Sequence, residues 1–101
     1  MRRGDVYRII TVTGRAMNAL VISDLDVAEP IGYIFITPIV ESPGTRQHVT
    51  APISAVENGS AVVWRTQAVP IAHLEKGEFA GRATTTELAE VDSLLKALFG
   101  L

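Results

Sequence analysis

Cysteine is absent from this chain, which rules out a disulfide framework, a thiol nucleophile and a thiolate metal site. Histidine is scarce: His48 and His73 stand well apart, a poor basis for a structural zinc, and no metal or cofactor is expected. Behind Met1-Arg2-Arg3-Gly4-Asp5 there is no apolar run long enough for a signal peptide or a membrane span, so the expected location is the cytoplasm. Positive charge is also in short supply. Nine Lys and Arg against eleven Asp and Glu leave a net charge of −2. That balance argues against a broad, sequence-blind nucleic-acid binder but not against a small basic patch, because the arginines are unevenly spread. No internal repeat or low-complexity segment interrupts the chain. What remains is the make-up of a soluble globular protein, 48% hydrophobic and 20% charged over 101 residues. One domain of this size buries roughly 60–70% of its unfolded surface, enough for a core without staples.

The chain is organised around Ala19-Leu20-Val21-Ile22-Ser23, a run too apolar for a surface strand, and the polar loop Thr11 to Asn18 that feeds it. Val6 to Val12, rich in β-formers after Gly4, reads as the first strand, broken by Gly14. Asp24 to Pro30 is a polar excursion with about one helical turn, closed by Pro30 and Gly32. Tyr33 to Val40 is the third strand, expected to pair with the second. Pro38 cannot donate to a ladder, so the strand must end, bulge or reach an edge there. Ser42-Pro43-Gly44-Thr45 is a turn, His48 to Ala51 a short strand, and Asn58-Gly59 the strongest short turn signal. Ser60 to Trp64 reads as a fifth strand, Ala68 to Ile71 as its kinked continuation, and Glu78 to Gly81 as a short last strand.

The end of the chain is helical. Thr84 and Glu87 form a capping box, and Leu88, Val91, Leu94, Leu95 and Leu98 make an apolar stripe. Glu87 and Glu90 near the start and Lys96 near the end suit the helix dipole, and Gly100 stops the helix. Short strands followed by one terminal helix imply a mainly β fold, a small barrel or curled sheet packed by that helix.

The opening Met1-Arg2-Arg3-Gly4-Asp5-Val6-Tyr7 resembles the start of MazF/PemK-type toxins. The similarity continues in Ala19 to Ser23, in the strand reaching Ile36-Thr37, and in the tail from Thr84 to Asp92, closing on Leu98-Phe99-Gly100-Leu101. The resemblance implies a small SH3-like β-barrel of the MazF/CcdB type, a homodimer, an antitoxin partner, and sequence-specific, metal-independent cleavage of single-stranded RNA. It further implies a basic residue just before the second strand and a Thr or Ser at the end of the third. The hydroxyl falls on Thr37. The basic position falls on Met17, with Arg15 the nearest arginine, and Asn18 stands where the family carries a proline.

The chemistry can also be argued directly. RNA carries its own nucleophile, the 2′-OH, and its cleavage needs a cation over the phosphate oxygens and a proton donor. Arginine offers a fork of donors matched to phosphate, so Arg15 and Thr37 are the candidate catalytic pair. Thr13, Gly14, Met17, Asn18, Pro38, Arg46, Arg65 and Gln67 are the candidate RNA contacts. The sequence fixes no base beside the loop; His48 is a candidate, imidazole being the side chain that exchanges protons near neutrality. Each choice has a plainer rival. Arg15 can be a solvated loop charge and Thr37 a strand terminator, with His48 and His73 ordinary surface residues. Trp64 is expected in the core or a dimer contact rather than under a stacked base. Arg65-Thr66-Gln67 is a polar patch that can equally be a solvated face. Trp64-Arg65, Val69-Pro70, Gly77-Glu78 and the tail also resemble CcdB, a gyrase poison of the same fold that acts by binding. A third alternative is a toxin-like domain whose catalysis has lapsed.

Overall fold

In the computed structural model, residues 1–41 and 49–101 are described; the expected turn at 42–45 and the candidates Arg46 and His48 lie outside them. Among the described residues the elements run β1 (Asp5–Ile10), β2 (Ala16–Val21), α1 (Leu25–Ile31), β3 (Tyr33–Glu41), β4 (Thr50–Pro52) and β5 (Gly59–Val62). A 3-10 turn (Val63–Arg65), β6 (Gln67–Pro70), α2 (Ile71–Glu75), β7 (Glu78–Arg82) and α3 (Thr85–Phe99) complete them. All strands join one antiparallel sheet in the order β4-β5-β3-β2-β1-β7, with β6 also on β3. The expected barrel is thus a curled half-barrel with α3 packed on it.

The central run behaves as its composition requires. Ala19, Leu20 and Val21 are each 0% exposed, because both faces of β2 are covered. Leu20 joins Val6, Ile39, Val63 and Val91 in the core beneath α3. Ala19 and Val21 face the opposite way, into a second core with Ile34, Ile36, Ala28 of α1 and Leu74 of α2. The strand begins at Ala16 rather than Ala19, so Met17 and Asn18 belong to the ladder, opposite Ile9 and Arg8, and not to the loop.

Pro38 explains a break in its neighbour. The carbonyl of Phe35 accepts from the N–H of Ile22, on the β2 side. Antiparallel alternation therefore turns the nitrogen of Pro38 toward the other edge of β3. On that edge β6 pairs with Tyr33 to Ile36 and β5 with Ile39 to Glu41. Between them the chain leaves the ladder in the 3-10 turn, so no donor is required of Pro38. The strand expected over Ser60 to Trp64 stops at Val62 for this reason, and β3 itself runs on to Glu41. Trp64 is thrown outward, 56% exposed, and is no part of the chain's core.

The opening motif is structural. Gly4, at φ 95°, donates to the Val21 carbonyl, and a Cβ there would meet Leu88 at 2.8 Å. Arg3 donates to the Ile22 carbonyl and pairs with Asp92 of α3. Asp5, buried, accepts from the Arg2 amide and from Arg82 Nε, both at 2.9 Å. These residues tie together the first strand, the end of the second, the last strand and the terminal helix.

The excursion after β2 is helix α1, closed by Gly32 at φ 75°. Helix α2 replaces the expected extension of the strand beyond Pro70, anchored by buried Leu74. On α3 the capping box forms as expected: Glu87 N–H donates to Thr84 Oγ1, and the Thr84 N–H to the Glu87 carboxylate. Gly100, at φ 72°, ends the helix, and Leu101 N–H closes back on the Lys96 carbonyl. No helix among the described residues is long and apolar enough to cross a membrane.

Candidate functional site

The loop from β1 to β2 is tight because its own polar groups are paired. Thr11 N–H donates to the Arg15 carbonyl and Gly14 N–H to the Thr11 carbonyl. Thr11 Oγ1 accepts from the Arg15 amide and lies 2.9 Å from Thr13 Oγ1. Gly14 supplies the positive φ, 82°, that reverses the chain. The side chains of Thr13 and Arg15 are left in solvent, with Met17 and Asn18 half-buried on β2.

Thr37 stands elsewhere. It lies in the middle of β3 opposite Leu20, not at the strand's end, and is 0% exposed. Its hydroxyl is 2.8 Å from that of Thr66, which donates onward to the Val63 carbonyl at 2.7 Å. Thr66 follows the 3-10 turn and is the partly exposed member of this chain of hydroxyls. From Arg15 to Leu20 is five residues of β2, about 17 Å at strand rise. Within one chain Arg15 and Thr37 are therefore not brought within reach of each other, contrary to the expectation of a shared loop-and-hydroxyl site. Pro38, opposite Ala19, is buried. Arg65 and Gln67 are exposed beside Thr66, the Arg65 guanidinium lying 5.8 Å from the Trp64 ring centroid.

Two features escape a reading along the sequence. One is Thr66, taken above only as part of a polar patch; its link to Thr37 spans 29 residues and leaves no local pattern. The other is a basic cleft beside the β1–β2 loop, where Arg8, Thr11, His73 and Lys76 meet. Its signal in the sequence is faint: Pro70 followed by Ile71-Ala72-His73-Leu74, a first helical turn with one buried position.

No family model and no curated protein sequence matches this chain. Solved structures do. The MazE–MazF complex of Deinococcus radiodurans superposes at a TM-score of 0.83 with 18% identity, over 100% of this chain and 96% of that one. The fold is that of the MazF toxins. An endoribonuclease from a mycobacterial species, in complex with its cognate antitoxin, matches at a TM-score of 0.82 and 17% identity, over 100% of this chain and 96% of its own. The Mycobacterium tuberculosis toxin MazF-mt6 matches at 0.72 and 16% identity, over 95% of this chain and 97% of that one. On this MazF fold the β2–β3 ladder ends with Asn18 opposite Ile39; the next residues outward are Met17 on β2 and Val40 on β3. Where the start of β2 meets the end of β3, this chain therefore carries two apolar side chains.

Proposed function

We propose that this chain is the toxin of a toxin–antitoxin pair: a homodimeric, metal-independent, sequence-specific endoribonuclease acting on single-stranded RNA. The observation that carries the reading is the match of the whole fold, end to end, to a MazF seated in a MazE–MazF complex and to an endoribonuclease bound to its antitoxin. In this reading the 2′-OH of the substrate attacks the adjacent phosphorus. The 5′-oxygen leaves as a hydroxyl, and the upstream fragment keeps a 2′,3′-cyclic phosphate. Arg15, exposed and without an ion-pair partner among the described residues, supplies charge to the phosphate oxygens. Thr37 acts as a positioning residue through Thr66, which is partly exposed. Tyr33 and Phe35, about half exposed and flanked across the ladder by Pro70 and Ala68, form an apolar patch that a second copy of the chain covers.

A second reading has a specific observation behind it. With Thr37 buried and hydrogen-bonded, Arg15 far from it, and Met17 rather than a basic residue near the start of β2, the chain fits a toxin-like domain whose catalysis has lapsed. The test is incubation of the purified protein with a long RNA in EDTA, with mapping of the cut ends. Cuts leaving 5′-hydroxyls in the presence of EDTA are expected, and Arg15→Ala should slow them by about 10²–10³, the effect of losing one transition-state donor. Magnesium dependence or 5′-phosphate ends would overturn the mechanism. No cleavage at all would remove the nuclease reading.

A further inference from the structure

At the end of β1 the sheet opens. β7 begins at Glu78, opposite Arg8, so among the described residues Ile9 and Ile10 of β1 have no strand on that side. The turn joining α2 to β7 closes against this bare edge because residue 77 is glycine: a Cβ there would stand 2.7 Å from the Arg8 carbonyl oxygen. The result is a cleft of about 430 Å³, within the size range of small-ligand sites.

The lining combines cationic and apolar side chains. Arg8, His73 and Lys76 line it together with Thr11. The chain's ion pairs among the described residues are Arg3–Asp92 and Arg82–Asp5, so both Arg8 and Lys76 are free of carboxylate partners. Ile10 and Val12, 66% and 94% exposed, supply the apolar wall. Glu78 also lines the cleft without pairing to either cation.

We propose that this cleft is a subsite for one nucleotide of single-stranded RNA, separate from the Thr37–Thr66 pair: Arg8 and Lys76 hold a phosphodiester, and the base lies on Ile10 and Val12. The inference rests on the RNA reading of the chain. Glu78 decides between RNA and the other polyanion such a cleft attracts, an acidic peptide. A carboxylate repels either polyanion, but it accepts from the exocyclic amines that unpaired bases present on their Watson–Crick edges, a contact a run of carboxylates cannot offer. The adjoining loop continues the positive surface through Arg15, so the strand passes from the cleft across the β1–β2 turn.

The test uses a short, mixed-sequence, single-stranded 2′-O-methyl oligoribonucleotide, which lacks the nucleophile and cannot be cut by attack of its own 2′-OH. Binding is followed by fluorescence anisotropy over a range of salt. The double variant Arg8→Ala/Lys76→Ala should bind at least about tenfold more weakly, and its slope of log affinity against log salt should fall by about 1.4, two single-strand phosphate contacts. Circular dichroism checks that it folds, and the single variants Arg8→Gln and Lys76→Gln, each losing about half that slope, replace it if it does not. Wild-type affinity and slope in the variants, no binding of the probe by the wild type, or a loss confined to a polyglutamate peptide would each overturn the subsite. Cleavage of unmodified RNA is scored separately. A wild type that cuts nothing, alongside variants that lose the probe, removes the nuclease reading and leaves the subsite standing. The reverse pattern removes the subsite alone.

Discussion

Asp5 couples the two ends of the chain at a single carboxylate. Its acceptors hold the Arg2 amide on one side and Arg82 of β7 on the other, while the residue itself is 2% exposed. The Arg82 side chain is more than half exposed, so its charge rehydrates when the partner goes. Asp5→Ala should therefore lower stability by about 2 kcal/mol, the loss of hydrogen bonds to a charged group rather than the stranding of a buried ion. Urea denaturation checks this; a midpoint equal to wild type would show that the pair contributes nothing. Thr37→Val behaves differently. Thr66 keeps its bond to the Val63 carbonyl, so the cost should be about 1 kcal/mol. If Thr37 works through Thr66, the same substitution slows RNA cleavage less than Thr66→Ala does, with the two variants compared in kcat at saturating RNA. Thr37 shows where the sequence stops being legible. Its residue type and strand were readable, but its burial depends on a partner that arrives only after the break between β5 and β6.

At the scale of an element, α3 carries its start signal in a carboxylate. Partial burial pushes the Glu87 pKa up, but hydrogen bonds from the Thr84 and Ser54 backbone N–H groups outweigh it, and the net shift is downward from the ordinary 4.5. A folded-state pKa below the unfolded one means the ionised carboxylate stabilises the fold above pH 4.5, and that contribution is lost as pH falls through the depressed value. Glu87→Gln should therefore lower the melting temperature at neutral pH and flatten its decline below pH 4.5 relative to wild type. Parallel melting curves for the two proteins would expose an error in the sign. At the other end of α3, Phe99 and Leu101 are 67% and 90% exposed. Removal of the last three residues should cost less than about 1 kcal/mol, the loss of a terminal cap, and should leave RNA cleavage intact. In the gyrase-poison alternative the same deletion abolishes toxicity while messenger RNA stays whole, so growth arrest and RNA integrity, scored together, separate the two.

Across the whole molecule, exposed apolar side chains lie on the sheet as well as on the helices. Helix α3 covers the core around Leu20, and α1 and α2 cover the one around Ile36, but Tyr33 and Phe35 on β3 stay about half exposed among the described residues. Light scattering at micromolar concentration should give twice the mass of the chain. Phe35→Ser should shift the equilibrium toward the single chain, because it places a hydroxyl in the centre of the patch. A wild type that scatters as one chain across the accessible concentration range would remove the dimer and the reason given for that patch.

The features that depend on neighbours in sequence were set by the sequence. The buried run of β2, the tight turn at Gly14, the capping box at Thr84 and Glu87 and the stop at Gly100 all follow from side-chain chemistry within a few residues. Tertiary structure decided the rest. The outward turn at Trp64 answers a proline on another strand, and α2 forms where Leu74 finds a core built by β1, β2 and β3. Arg15 and Thr37 are separated by the length of β2, whereas Arg8 and Lys76, far apart along the chain, share one cleft. Local periodicity is written in the order of residues. Which side chains face one another across a sheet depends on register, and register is settled only when strands distant in sequence pack on a common core.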